Sequence, residues 1–143
     1  MTIASILANK GSDVVHARAD MRVAEVVRLL AGRRIGAVPV LDDAGGVLGI
    51  LSERDILYQL AEDGPAMLER TADTVMTAPA VTVEPQMAII VALSLMTRRR
   101  IRHLPVVEAG RMIGFVSIGD LVKARVDRIE SEAAAMRDYI TAT

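Results

Sequence analysis

The chain of 143 residues has the size of one ordinary domain, large enough to bury roughly two-thirds of its unfolded surface. It has no cysteine, which excludes disulfides, a thiol nucleophile and thiolate metal sites, and with only two histidines, His16 and His103, a zinc or iron site would have to lean on carboxylates, so no metal centre is expected. Seventeen basic against eighteen acidic residues give a formal net charge of -1, so the chain as a whole has no electrostatic reason to hold nucleic acid or an anionic membrane.

The opening segment MTIASILANKG lacks a basic stretch followed by an apolar run. The longest apolar stretch, 88–96, falls well short of the ~20 residues that span a bilayer, and a soluble cytoplasmic protein is expected. A short strand is predicted near Val14 to Ala17. An amphipathic helix follows, its apolar positions Val23, Val26, Val27 and Leu30 keeping the three-and-four spacing of one buried face. Strands at Ala37 to Leu41 and Val47 to Leu51 flank a glycine-rich turn at 42–46, and a helix opens at Ser52 and stops before Asp63-Gly64-Pro65. In the second half a strand is predicted at Ala80 to Val83, a helix from about Gln86 to Arg99, strands at His103 to Val107 and Met112 to Ser117, and a last helix from Ile118. In that helix Val122, Val126, Ile129, Ala133, Met136 and Ile140 form an a/d stripe bordered by charges. Such a helix wants a partner, either its own module or a second subunit.

The two halves are copies. Arg33 to Val40 align with Arg99 to Val106 at an offset of 66, which places Pro39 opposite Pro105. One residue is lost in a turn, where a repeat tolerates it. After it, Gly49 to Asp55 align with Gly114 to Asp120 at an offset of 65. The expected fold class is therefore α/β (α+β), two tandem β-α-β-β-α units packed sheet to sheet about a pseudo-twofold axis. The boundaries are 1–62 for the first repeat, 63–70 for a linker, 71–125 for the second repeat and 126–143 for a helical extension. Neither unit of about 60 residues buries enough apolar surface to be comfortable alone. Pro39 and Pro105 sit inside strands without an N–H to donate, marking an edge or a bulge where backbone groups are left free.

The duplicated unit, the paired strand entries Ala37-Val38-Pro39-Val40 and His103-Leu104-Pro105-Val106, and the motifs Ser52-Glu53-Arg54-Asp55 and Ser117-Ile118-Gly119-Asp120 together resemble paired CBS domains, the Bateman module. Asp73-Thr74-Val75-Met76-Thr77 resembles the usual opening of such a repeat, whereas Asn9-Lys10-Gly11-Ser12-Asp13 reads as an insertion in the first. The resemblance implies regulatory binding of an adenosine compound (AMP, ADP or ATP, NAD(H), or S-adenosylmethionine) without catalysis, in a homodimer that acts on an effector protein. It implies ribose contacts from Asp55 and Asp120, phosphate contacts near Ser52 and Ser117, and a base enclosed by Val38, Pro39, Leu104 and Pro105. It extends the ligand-binding set to Val15, Ile35, Gly36, Ala37 and Thr82.

The chemistry of these positions agrees. An ionised carboxylate accepts from both vicinal hydroxyls of a ribose. A serine at a strand-to-helix junction stands beside unpaired N–H groups suited to phosphate. The competing explanation is a helix cap, since Ser at N-cap with Asp at N3 approximates a capping box worth about 1 kcal/mol. Arg54 is placed to fork onto a phosphate, where the second motif has Gly119. In the basic run 98–103, Arg98 and Arg99 read as a solvated helix end. Arg102 and His103 enter a strand beside Pro105, at positions that the resemblance to CBS pairs implies reach nucleotide phosphates, and are expected to neutralise them. An enzyme finds no nucleotide-loop fingerprint of either the G-x-x-x-x-G-K-[ST] or the G-x-G-x-x-G kind. A nucleic-acid module would have one Phe and two Tyr for stacking. A ligand-free scaffold acting through a partner protein is the remaining alternative.

Overall fold

The computed structural model describes residues 1–11 and 13–142. Its elements are α1 (Ile3–Lys10), β1 (Ala17–Arg18), α2 (Val23–Arg33), β2 (Ala37–Leu41), β3 (Val47–Ser52), α3 (Glu53–Asp63), a 3-10 turn (Gly64–Glu69), α4 (Ala72–Val75), α5 (Ile89–Arg99), β4 (His103–Glu108), β5 (Arg111–Ser117) and α6 (Ile118–Ala142). Both middle strands carry unbroken runs of buried residues, Ala37 to Val40 and Leu104 to Val106, because each is covered on two faces.

The first repeat forms a three-stranded sheet in the order β1-β2-β3, with β1 parallel to β2 and β3 antiparallel to it. The second has only the antiparallel pair β4-β5. The strand expected at 80–83 shrinks to one bridge, Val83 beside Val106, and the strand expected at 14–17 starts only at its last residue. The prolines explain both corrections. Val83 N–H donates to the Pro105 carbonyl at 3.0 Å and its own carbonyl accepts from Val107 N–H at 2.8 Å. Extending this parallel ladder two residues back needs the N–H of Pro105, which does not exist. Ala17 stands in the same register beside Val40, and Pro39 ends that ladder in the same way. The chain before each bridge is freed from the sheet and passes over the space between the repeats. Bulges follow at Val40/Leu41 and Val106/Val107, one residue after each proline.

Helix α1 was not expected, its last two residues having read as the start of an insertion, and it belongs to the other repeat's core. Ile3 and Ile6 pack with Val83, Met96, Leu104, Val116 and Leu121. Reciprocally, Ala72 and Val75 of α4 pack with Val26, Val40, Leu51 and Met67 of the first repeat. The segments that open the two repeats are thus exchanged, which fixes one repeat against the other. Two glycines at matching positions permit it. A Cβ on Gly49 would lie 2.7 Å from the Thr77 carbonyl oxygen, and one on Gly114 would lie 2.4 Å from a Leu7 methyl. Helix α5 begins three residues later than expected because α1 uses the preceding backbone: Ile3 and Ala4 N–H groups donate to the Met87 and Pro85 carbonyls. The 63–70 segment is a packed turn whose Met67 is fully buried. Helix α6 runs unbroken through 125. Its stripe stays uncovered, with Val122 45%, Val126 44%, Ile129 49% and Met136 61% exposed. Among the described residues no helix is long and apolar enough to cross a membrane.

Candidate functional site

The two S-x-x-D motifs lie at strand-to-helix junctions, where Ser52 caps α3 and Ser117 precedes α6. The Asp55 N–H donates to Ser52 Oγ at 3.2 Å, and Asp55 Oδ2 accepts from the Ser52 N–H at 2.9 Å and from its hydroxyl at 3.0 Å. The full capping box is present. It consumes only one carboxylate oxygen. Oδ1 points away from the helix and accepts the Thr77 hydroxyl at 2.8 Å, a residue that enters from the opening segment of the second repeat. The capping explanation and the binding explanation therefore use different oxygens of one side chain.

A cavity of about 210 Å³ opens at this carboxylate. Its walls are Ser52 to Asp55 with Gly36 and Ile50 from the first repeat, and Thr77, Pro79 to Val81 and Arg100 to His103 from the second. Arg54, Arg100 and Arg102 line it, and among the described residues none of the three is ion-paired. Arg100 holds a left-handed backbone (φ 54°) at the C-cap of α5, as Arg34 does (φ 54°) at the end of α2. These caps turn the chain from each helix toward the cleft.

A second cavity of about 460 Å³ is related to the first by the repeat. It is lined by Ser117, Asp120 and Phe115, by Asp13 to Val15 and Arg34 to Ala37 of the first repeat, and by Lys10 and His103. Asp120 repeats the cap: its Oδ2 accepts from Ser117 N–H at 2.8 Å and its N–H donates to Ser117 Oγ at 3.1 Å. Burial works to raise the pKa of Asp120, but the Lys10 ammonium and the Ser117 hydrogen bonds outweigh it and hold the carboxyl below its ordinary value. Gly36 and His103 line both cavities and form their common wall. The His103 ring stacks on Phe115 with centroids 5.5 Å apart. Burial, reinforced by Lys10, lowers its pKa, so the imidazole is mainly neutral at pH 7 and the positive charge lining the two cavities comes from the arginines and Lys10.

Of the residues expected at the site, Ser52, Arg54, Asp55, Gly36, Arg102 and His103 meet in the first cavity, and Ser117, Asp120, Val15, Ile35, Gly36, Ala37 and His103 in the second. Val38, Pro39, Leu104 and Pro105 do not line either cavity: all four are buried in the middle strands. Thr82 lies outside both clefts, in a separate surface depression with Pro85 and Val107. Sequence reasoning missed Thr77, Arg100, Ile101, Lys10 and Phe115. Thr77 had a signal, standing in the repeat-opening segment; Lys10 sat in the apparent insertion.

The CBS domain model matches residues 6–62 and 72–127. The chain is similar to the CBS domain-containing protein CBSX3, mitochondrial, of Arabidopsis thaliana, 31% identical over 97% of this chain and 71% of that protein. It spans only 20% of the inosine-5'-monophosphate dehydrogenase of Mycobacterium tuberculosis, at 34% identity over 113 residues. The crystal structure of a CBS-domain containing protein from Agrobacterium tumefaciens is 39% identical, with a TM-score of 0.83 over 87% of this chain and 99% of that one. Two structures with bound ligands, at 22–24% identity, share the fold: CBSX2 in complex with AMP (TM-score 0.71, 80% and 89% covered) and the CBS domain pair of protein MJ0100 with 5-methylthioadenosine and S-adenosyl-L-methionine (TM-score 0.78, 90% and 98% covered). With matched repeats, exchanged opening helices and paired inter-repeat clefts, the chain belongs to the CBS domain family as a tandem pair.

Proposed function

We propose that the protein is a regulatory module that binds an adenine nucleotide in the Asp55 cleft and performs no catalysis. The observation that carries this reading is the placement of Asp55 Oδ1, which takes no part in the cap and accepts only the Thr77 hydroxyl. It faces a cavity whose walls come from both repeats, held there by the cap on its other oxygen, with three unpaired arginines around it. A ribose diol can replace the Thr77 hydroxyl like for like, because Thr77 can then accept from the ligand. Phosphates fall to Arg54 and Arg102, and the adenine to the apolar edge of Pro79, Val81 and Ile101. The AMP and S-adenosylmethionine complexes of the two structural relatives support the ligand class.

The cavity is smaller than the ~300–1000 Å³ of ordinary small-molecule sites, so entry of a nucleotide must move the Thr77–Val81 segment against α3. Those walls belong to different repeats, and their displacement is the signal a partner reads. The uncovered stripe of α6 supports pairing with a second copy, since a heptad pattern matches an identical helix. The test is a thermal-shift series with AMP, ADP, ATP, NADH and S-adenosylmethionine on protein freed of carried-over ligand. A shift confined to one or more of these compounds is expected. No shift with any of them would refute nucleotide sensing and leave a scaffold that works through its partners.

A further inference from the structure

The two clefts are built from the same repeat, yet one element fills them differently. In the first, Thr77 makes two sets of contacts. Its backbone exchanges hydrogen bonds with Ile50, at 2.9 and 3.0 Å, and its hydroxyl donates to Asp55. The residues matching Ile50 and Asp55 are Phe115 and Asp120. There the ammonium of Lys10 serves both, donating to the Phe115 carbonyl at 2.8 Å and to Asp120 Oδ2 at 2.7 Å. Lys10 is the last residue of α1, and that helix is anchored in the second repeat's core through Ile3 and Ile6. The ammonium is therefore delivered to the cleft by a fixed element.

The chemical consequence is asymmetric. At Asp55 a ligand hydroxyl displaces another neutral hydroxyl. At Asp120 the same hydroxyl must displace a cation from a carboxylate and from a carbonyl at once, exchanging charge-assisted bonds for weaker ones. The pair is partly exposed, 41% on Lys10 and 28% on Asp120, which moderates the penalty without removing it. The cations differ as well: three arginines line the first cleft, whereas the second has Arg34 and a lysine already spent on Asp120.

We propose that Lys10 is an internal plug that excludes ribose from the Asp120 cleft, so that the module takes one nucleotide, at Asp55, rather than two. This rests on the reading that Asp55 binds an adenine nucleotide. It gives Lys10, at the end of α1, a function in the segment that read as an insertion.

Isothermal titration with AMP and ADP on the full chain decides the matter, using wild type, Lys10→Met, Lys10→Arg and Asp55→Asn. Wild type is expected to bind one equivalent, with any second event at least about tenfold weaker, the factor that corresponds to ~1.4 kcal/mol. Lys10→Met should gain a second event that is lost again when Asp120→Asn is added. Lys10→Arg keeps a cation on the carboxylate and should keep one equivalent. Two equal sites in wild type, or a single site in Lys10→Met whose thermal unfolding stays cooperative, overturns the plug. So does a second event in wild type that Lys10→Met weakens, because Lys10 would then be a ligand contact. Absence of binding in every variant, Asp55-intact ones included, instead removes the nucleotide reading on which the plug rests.

Discussion

Asp55→Asn separates the two duties of one side chain. The amide oxygen can keep the Ser52 N–H that Oδ2 now accepts at 2.9 Å, and the amide NH₂ can donate to Thr77 Oγ where Oδ1 now accepts from it at 2.8 Å. The cap survives and only the negative charge near the helix N-terminus is lost, worth about 0.3–1 kcal/mol, or a fall in Tm of about 1–4 °C for a chain of this size. Binding is hit harder. A ribose diol that meets an NH₂ in place of a carboxylate oxygen loses charge-assisted bonds, and a loss of about 1.5–3 kcal/mol raises Kd by roughly 10- to 150-fold. Nucleotide at 100 times the wild-type Kd stabilises by about 2.7 kcal/mol, a shift of roughly 5–11 °C. At a hundredfold higher Kd the same concentration yields about 0.4 kcal/mol, or about 1–2 °C. Differential scanning calorimetry with and without ligand reads both effects on one sample. A variant that unfolds within about 4 °C of wild type and keeps the full ligand shift would refute Asp55 as the ribose acceptor.

Gly49→Ala places its Cβ 2.7 Å from a backbone oxygen that cannot rotate away, and should cost about 1–3 kcal/mol by urea unfolding. Gly114→Ala meets a Leu7 methyl that can turn aside, and should cost less. Burial and Lys10 lower the His103 pKa against the opposing pull of Glu53 and Asp120. The unfolded chain then binds the proton more readily, so stability is full above pH about 6.5 and is lost as pH falls below it. His103→Gln should flatten that slope in unfolding curves taken between pH 7 and 5. Truncation after Arg125 removes the uncovered stripe beyond Val122 and spares both cores, and light scattering should find fewer subunits per particle than for the full chain. An unchanged subunit number would sink pairing through this helix.

The repeat was legible because the residues that define it are structural necessities: the prolines that end a ladder, the glycines that admit a neighbouring segment, and the Ser-Asp caps that start two helices. The strands before the prolines were overestimated although the reason was visible in the sequence, since a proline that cannot donate shortens the neighbouring strand as well as its own ladder. Helix α1 was missed because Ile3, Ile6 and Leu7 make only two turns of pattern, and such a helix is stabilised by the Leu104 and Leu121 core it enters rather than by its own sequence. Asp55 could be read locally, its cap partner being three residues away. The Lys10–Asp120 pair could not, as its members are 110 residues apart and nothing near either one announces the other. Val38 and Leu104 were placed at the cleft because they flank the prolines, yet strand alternation combined with cover on both faces turns them into the core.

The exchange of opening segments bears on how a signal leaves the cleft. The Thr77–Val81 wall continues into α4, whose Ala72 and Val75 are seated in the first repeat's core, so a ligand that moves this wall strains that packing. On the far side the cleft ends at His103, which also walls the second cavity and stacks on Phe115; two residues later Ser117 leads into α6. The helix that carries the exposed stripe therefore starts at the wall shared with the nucleotide cleft. If nucleotide binds at Asp55 as proposed, it can bias α6 by way of His103 and Phe115 only as far as it prefers one arrangement of the repeats over the other. A tenfold preference supplies about 1.4 kcal/mol, which is enough to shift a nearly balanced pairing equilibrium and too little to drive one that is strongly set.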